Sequence, residues 1–211
     1  MRNSGQGATP AALLAAAGQA MGPVEYRERL ARLVAEGRTT GPDQGAEMVA
    51  YTKLNLSRTA RVEKTVRIGE ELRNALRSAP AMTWLVITEP WCGDSSQLLP
   101  VLQLMAQEAP QIALRILLRD EHPALIDRYL TAGARGIPKL IAFDAEGRER
   151  FTWGPRPATA HALVMENKKL PAGQQLPKEA IYAKVHAWYA ADRGQETQAE
   201  LLGLLRTGSS N

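Results

Sequence analysis

The only cysteine of this chain is its strongest candidate for chemistry. Cys92 follows the apolar run Trp84–Thr88, which predicts a buried strand, and precedes a helical pattern that begins near Ser95. A cysteine at the turn between a strand and a helix feels the positive end of the helix dipole. The dipole favours the thiolate, which is the form that attacks disulfides. We therefore predict a nucleophile; the competing interpretation is a small buried residue without chemistry.

Asp94 and Ser95 lie beside the cysteine and leave its pKa open. Like-charge repulsion from Asp94 could raise the pKa of Cys92, or the helix dipole could offset that carboxylate. The hydroxyl of Ser95 could bind the thiolate, or it could satisfy a backbone N–H in the first helical turn. The sequence alone does not show whether the pKa of Cys92 is raised or lowered overall.

The composition restricts the class of protein. The chain has 211 residues, of which 45% are hydrophobic and 23% charged, enough for one well-packed core. The net charge of +4 is small and spread along the chain, so we expect neither nucleic acid nor a membrane as a partner. A single cysteine excludes an internal disulfide and favours a reducing compartment, so we expect a cytoplasmic protein.

We expect no metal site and no membrane-spanning helix. The three histidines have no cysteine or carboxylate at ligand spacing, and no apolar run approaches the roughly 20 residues that cross a bilayer. Residues 11–21 are rich in alanine and weakly resemble a signal peptide, but a frayed helix fits them better. Residues 1–22 as a whole are expected to be loosely ordered.

Periodicity predicts a small α/β core flanked by helices. Helical patterns cover about 23–37, 46–57 and 59–77 before the core, and about 178–191 and the Leu201–Leu205 stretch after it. Within the core, the expected strands are 83–89, 112–118, 139–143 and 148–153, with helices at about 95–108, within 124–130, and at 157–167. This order predicts two parallel strands followed by an antiparallel hairpin.

Two motifs in this order resemble the thioredoxin family. The sequence Trp91-Cys92-Gly93-Asp94-Ser95 is similar to the Trp-Cys-Gly-Pro-Cys site of thioredoxins, and Arg135-Gly136-Ile137-Pro138 to the segment that carries their cis-proline. Asp144–Gly147 matches the next hairpin turn and Gly154 the glycine after it. The segment Tyr51–Thr65 resembles bacterial members of the family, so a bacterial source is expected.

The resemblance implies a thioredoxin-like fold of one core with two additions. The core is expected at 80–167, with a helical extension at 23–79 and C-terminal helices at 168–211. The site departs from the family pattern, because Ser95 replaces the second cysteine that resolves a mixed disulfide. Val86 also stands where thioredoxins bury a carboxylate. Release of a partner would therefore need an outside thiol such as glutathione.

The leading hypothesis is a monothiol redox protein whose Cys92 forms mixed disulfides with a protein or a low-molecular-weight thiol. The expected catalytic residues are Cys92, Ser95 and Pro138. The expected substrate groove, in which an extended partner chain would lie, consists of Trp91, Gly93, Asp94, Ile137, Lys139 and Gly154. Lys139 is expected to face Cys92 and favour its thiolate.

Two alternatives remain open at this point. The fold could serve as a non-catalytic binding or scaffold module with an unreactive cysteine. The cysteine could also be a sensor that is oxidised to sulfenic acid and then pairs between chains. An iron–sulfur cluster of the monothiol glutaredoxin type is not expected, because the Trp91 and Pro138 contexts are thioredoxin-like. The oligomeric state is not predicted.

Overall fold

The computed structural model describes residues 7–208 and contains a four-stranded mixed sheet. The strands are β1 (Met82–Thr88), β2 (Ile112–Leu118), β3 (Lys139–Phe143) and β4 (Glu149–Trp153), in the order β2-β1-β3-β4. Strand β1 pairs in parallel with β2 and antiparallel with β3, and β3 pairs antiparallel with β4. The predicted thioredoxin-like arrangement of parallel pair and hairpin is therefore confirmed.

Strand β1 is the centre of the molecule because it is apolar on both faces. Leu85, Val86 and Ile87 are all fully buried. Val86 belongs to the larger core, on the same face as Trp84, while Leu85 and Ile87 belong to the smaller core on the other face. A strand covered by helices on both sides reads as a continuous apolar run, which is why the sequence identified it.

Nine α-helices are present in residues 7–208. They are α1 (Pro10–Gln19), α2 (Pro23–Ala35), α3 (Ala46–Thr65), α4 (Glu70–Ser78), α5 (Gly93–Gln107), α6 (Pro123–Ile126), α7 (Ala158–Lys169), α8 (Lys178–Asp192) and α9 (Gln195–Gly208). Short 3₁₀ turns cover Arg119–Glu121 and Ala172–Gln174. The predicted boundary near residue 58 is wrong: α3 continues to Thr65, and the break comes at 66–69. None of these helices is long and apolar enough to cross a membrane.

The expectation of loose order at residues 1–22 is wrong for the part that the structure describes. Thr9 caps α1 by accepting a hydrogen bond from the amide of Ala12, and Pro10 occupies the first helical turn. Leu13 is fully buried in the smaller core. Met21 exchanges two backbone hydrogen bonds of 2.9 Å with Ile116 of β2. The segment is ordered by one buried leucine and an edge contact; residues 1–6 of the expectation lie outside the described residues.

The C-terminal helices complete the larger core and cover one end of it. Ile181, Val185 and Tyr189 form the buried face of α8, the helix that periodicity predicted at about 178–191. Glu200 of α9 accepts hydrogen bonds from the indole of Trp153 at 2.6 Å and from the amide of Ala158 at 2.7 Å, which fixes the start of α7. The C-terminal segment is thus tied to both β4 and α7.

Candidate functional site

Cys92 occupies the N-cap position of α5. Its backbone is extended (φ −76°, ψ 118°), and its amide donates to the carbonyl of Glu89 at 3.1 Å. An N-cap side chain ordinarily accepts hydrogen bonds from the next amides of the helix. The Cys92 thiol lies at that place, close to the amides of Asp94 and Ser95, and its Sγ is 3.5 Å from the carbonyl oxygen of Ile137. A thiolate here would therefore act as the helix cap.

The pKa of the Cys92 thiol is nevertheless raised to about 11. Burial is the first cause and the negative charge of Asp94 the second. The hydroxyl of Ser95 and the backbone amides of Ser95 and Asp94 act in the opposite direction and are outweighed. The sequence left the direction of the pKa shift open, and in the structure the pKa of Cys92 is raised. The half-buried thiol is therefore protonated at neutral pH.

Asp94 is held by two side chains that the sequence analysis did not include in the site. Its Oδ2 forms an ion pair with Arg156 at 2.6 Å, and the hydroxyl of Tyr189 donates to its Oδ1 at 2.9 Å. Arg156 comes from the segment after β4, and Tyr189 from α8. The sequence feature that could have pointed to this ion pair is the single arginine between Pro155 and Pro157, where the chain must turn. The ion pair gives a partner to a carboxylate that is only 9% exposed.

Gly93 is the point at which two more polar groups approach the motif. A Cβ atom on Gly93 would lie 2.8 Å from Nε2 of His186 and 3.5 Å from Nη1 of Arg58. Glycine is therefore required by close packing. Both neighbours come from helices outside the predicted core, α8 and α3, and neither was expected at the site.

The hydrogen bonds around Gln97 determine the protonation state of His186. Arg61 can only donate, so the Gln97 oxygen that it contacts at 2.7 Å is the acceptor. The Gln97 amide nitrogen then donates to Nδ1 of His186 at 3.2 Å, which places the ring proton on Nε2. Burial, and next the charge of Arg58, lower the pKa of His186 to about 4. His186 is therefore neutral and presents an N–H beside Gly93.

The proline segment lies against the cysteine but is covered. The Ile137–Pro138 and Gly154–Pro155 peptide bonds are both cis. Gly154 has φ +102°, and a Cβ there would lie 2.3 Å from the carbonyl oxygen of Pro138. Ile137 and Pro138 are both buried. Gly154 thus packs directly against the backbone of Pro138, and this contact leaves no room for a side chain at Gly154.

The expectation that Lys139 faces Cys92 is wrong. Its Nζ donates to the hydroxyl of Thr131 at 2.7 Å and to the carbonyl of Gly154 at 3.0 Å. Lys139 is 7% exposed, and burial lowers its pKa. The ammonium group therefore ties β3 to the segments around it.

A cleft of about 520 Å³ opens over Cys92. Its walls come from α3, the start of α5, residues 135–137, residues 155–156 and α8. Of the predicted site residues, the cleft is lined by Trp91, Cys92, Gly93, Asp94 and Ile137; Ser95, Pro138, Lys139 and Gly154 do not line it. Trp91 stacks under the guanidinium of Arg119 at 4.8 Å. The motif residues are thus brought together, and the added helices close the site around them.

Glu89 is a second buried carboxylate that sequence reasoning missed. It is 1% exposed, and it accepts hydrogen bonds from the hydroxyl of Thr40 and from the amide of Asp120 at 2.8 Å. Burial raises its pKa. Val86 is fully buried and apolar as predicted, so this chain carries its buried acid three residues before Cys92. Residues 7–208 contain no cluster of three or more His, Cys, Asp or Glu that could hold a metal ion.

A family model described as thioredoxin matches residues 41–170. No curated protein matches the chain. Two solved structures are similar at 16% identity and a TM-score of 0.53, and at that identity they show the fold alone. One is an HIV epitope-scaffold, with 83% of this chain and 96% of that chain covered. The other is a protein of unknown function from Pseudomonas aeruginosa, with 88% and 98% covered.

Proposed function

Because the chain belongs to the thioredoxin family, we propose that it is a monothiol exchange protein whose Cys92 forms a mixed disulfide with a sulfur partner. One observation carries the proposal: Sγ of Cys92 occupies the N-cap of α5, next to the Ile137 carbonyl, and opens into the cleft. A cysteine used only for packing would not need a cleft of that size above it. A reducing, cytoplasmic location belongs to the same proposal, since the exchange needs a supply of thiols.

The exchange consists of two displacements. Cys92 loses its proton and its sulfur attacks one sulfur of a partner disulfide; the partner's S–S bond breaks, and the leaving sulfur takes up a proton. A second, external thiol then attacks the mixed disulfide, and Cys92 leaves as a thiolate that is reprotonated. No second cysteine is available in the chain to perform this step. The sulfur of Cys92 therefore carries negative charge before attack and again on release.

The helix start stabilises that charge in both steps. The amides of Asp94 and Ser95 and the hydroxyl of Ser95 are the groups that lower the pKa of Cys92. Ser95 is 2% exposed, and its Oγ makes no conventional hydrogen bond to a described residue. Its O–H is therefore free to donate to the developing thiolate. We assign Ser95 as the residue that binds the leaving Cys92 sulfur.

The raised pKa makes the exchange slow at neutral pH. With a pKa of about 11, the thiolate fraction at pH 7 is about 10⁻⁴, roughly 300-fold below that of a free cysteine. A more basic thiolate is also more nucleophilic, by roughly 13-fold for this difference. The population effect is larger, so Cys92 should react about 20-fold more slowly than a free cysteine at pH 7.

A second candidate function follows from the same raised pKa. A non-catalytic binding module would keep the cleft and have no need of the thiolate, and burial of Cys92 beside Asp94 suits that role. Such a module would bind its partner equally well after Cys92→Ser. The monothiol function instead requires that replacement to abolish covalent capture.

Intact mass spectrometry after incubation with a small disulfide tests the proposal. Wild-type protein should gain one disulfide-linked group, the rate should rise up to about pH 11, and dithiothreitol should remove the group. Cys92→Ser should gain nothing. If folded wild-type protein forms no adduct even at pH 10, where a tenth of the thiol is ionised, the exchange function is excluded and the binding module is favoured.

A further inference from the structure

We propose that the cleft over Cys92 binds an amino-acid-derived, low-molecular-weight disulfide that carries carboxylates, of the glutathione disulfide type, in place of an extended polypeptide. This inference rests on the proposed exchange function and names its substrate class. It is carried by the covered strand edge, by two cationic groups without carboxylate partners, and by the shape of the cleft.

The edge that an extended partner chain would use is blocked. Ile137, Pro138 and Lys139 are all buried, so the backbone next to the proline is not open for strand pairing. Pro155 packs against Gly136, where a Cβ atom would lie 2.9 Å from the proline ring. Helix α8 forms the opposite wall of the cleft. What remains is a bounded cavity, of the size typical of small-molecule sites.

Arg58 and Lys178 place positive charge inside this cavity, and Arg58 also interacts with the more distant charge of Asp94. Neither has a carboxylate within 4 Å among residues 7–208. Among residues 7–208, the one hydrogen bond of Arg58 goes to the amide oxygen of Asn55 at 2.9 Å, and Lys178 lies over the ring of Tyr182 at 5.9 Å. The other cationic groups of the cleft are neutralised: Arg119 by Asp120, Arg135 by Asp127 and Arg156 by Asp94.

Arg58 also lies where a carboxylate would be brought next to the reacting sulfur. Its Nη1 and the Nε2–H of His186 both lie close to Gly93, the residue that follows Cys92. Both side chains line the cleft and are held by Asn55 and Gln97, so these two donors from different helices form a preorganised anion site on the cleft wall. A ligand anchored there would present its sulfur to Cys92.

Glu179 is the reason that we propose an amino acid derivative and not a simple anion as the ligand. Its carboxylate lines the same wall as Lys178, and no cation within residues 7–208 lies within 4 Å of it. A neighbouring pair of one acid and one base complements the ammonium and carboxylate of an α-amino acid. Together with the Arg58 site, the cleft matches a ligand that has a zwitterionic end and a further carboxylate, which is the charge pattern of glutathione.

The covalent step is the exchange described above with this ligand as the partner. Cys92 sulfur bonds to one sulfur of the disulfide, the disulfide bond breaks, and the released thiol carries the proton that Cys92 lost. A mixed disulfide between a protein and the same small thiol would react identically if Cys92 attacks the small-thiol sulfur. An external thiol then displaces the Cys92 sulfur and returns it to its starting state; overall the small disulfide is reduced and the external thiol is oxidised into a new disulfide.

The test compares glutathione disulfide, hydroxyethyl disulfide, which is neutral, and cystamine, which is cationic. The rate of adduct formation with full-length protein is measured by intact mass spectrometry, and each rate is divided by that of N-acetylcysteine to remove leaving-group chemistry. Glutathione disulfide should react fastest after this correction. Lys178→Met should lower its rate about fivefold and leave the hydroxyethyl disulfide rate unchanged. Arg58→Met should lower it about tenfold.

Lys184→Met is the matched control, because Lys184 lies exposed on the same helix and does not line the cleft. It should change no rate, and circular dichroism should show all three variants folded. If the corrected rates of the three disulfides are equal, or if Lys178→Met and Arg58→Met behave like Lys184→Met, the substrate class is wrong and the exchange function stands. If no disulfide forms an adduct, both the exchange function and the substrate class are overturned.

Discussion

Replacing Asp94 by asparagine should make Cys92 more reactive. The negative charge of Asp94 is the second cause of the raised pKa of the thiol, after burial. Asparagine keeps an oxygen for the hydroxyl of Tyr189, removes the charge, and leaves the Arg156 guanidinium near the sulfur. Removal of one close like charge lowers a pKa by about one unit. The expected midpoint for Cys92 therefore moves from about 11 to about 10.

The alkylation rate at pH 7 should change less than the thiolate fraction does. A fall of about one pKa unit raises the thiolate fraction at pH 7 tenfold and lowers the intrinsic nucleophilicity about threefold. Iodoacetamide alkylation at pH 7 should therefore be about threefold faster in Asp94→Asn than in wild type. The assay is the alkylation rate from pH 7 to 11, followed by intact mass, with the midpoint as the primary readout.

Two further variants separate charge from structure. Glu179→Gln removes an acid from the same cleft at an exposed position and should shift the midpoint by less than about 0.3 units. Asp94→Asn leaves Arg156 without its partner, which can cost about 3 kcal/mol of stability for a buried pair. The double variant Asp94→Asn/Arg156→Met removes both charges and should recover part of that stability. A folded Asp94→Asn whose midpoint stays at or above the wild-type value would refute the assigned role of Asp94.

Three further results are expected. Ser95→Ala should raise the pKa of Cys92 further, because it removes a hydroxyl that lowers it; the alkylation midpoint would move up by about half a unit. His186 has a folded pKa of about 4 against 6.5 when unfolded, so its share of stability is present above pH 6.5 and lost as pH falls toward 4. The free energy of unfolding in urea should fall less between pH 7 and pH 5 in His186→Asn than in wild type. The difference should be about 1 kcal/mol after allowance for solvent screening. Gly154→Ala should lower the free energy of unfolding by about 3 kcal/mol, which is more than Gly133→Ala should lower it. Both glycines have positive φ, but only Gly154 faces a backbone oxygen. Equal losses of stability would contradict the role of that contact.

The sequence predicted the parts of the fold that follow from local periodicity. The apolar run at Trp84–Thr88 is a strand because it is buried on both faces, and the cysteine lies at the helix start that the next apolar positions implied. The parallel pairing of the first two strands followed from the crossover rule, and the hairpin followed from its glycine. These features are encoded within a few residues of where they occur, and they required no knowledge of distant contacts.

The charges around Cys92 could not be predicted in the same way. Arg58, Arg156, His186 and Tyr189 reach the motif from α3, from the turn after β4 and from α8, at sequence separations of 34 to 97 residues. Their patterns were those of ordinary helix faces and a proline-rich turn. Lys139 was misplaced for the same reason: its position on β3 was correct, but its partners are Thr131 and the carbonyl of the loop beyond β4.

The contacts to the buried carboxylates beside Cys92 show what the added helices do. In the predicted core alone, Asp94 would keep Arg156 and lose the hydroxyl of Tyr189, and Glu89 would lose Thr40. The cleft would lose the α3 and α8 walls and both groups above Gly93. Each buried carboxylate beside the cysteine is therefore held partly by a segment outside the thioredoxin-like core. Since an uncompensated buried charge is costly, the extension and the C-terminal helices stabilise the motif itself as well as cover it. Helices α3 and α8 and the loop that carries Thr40 are thus part of the site, and the electrostatics of Cys92 depend on segments outside the core.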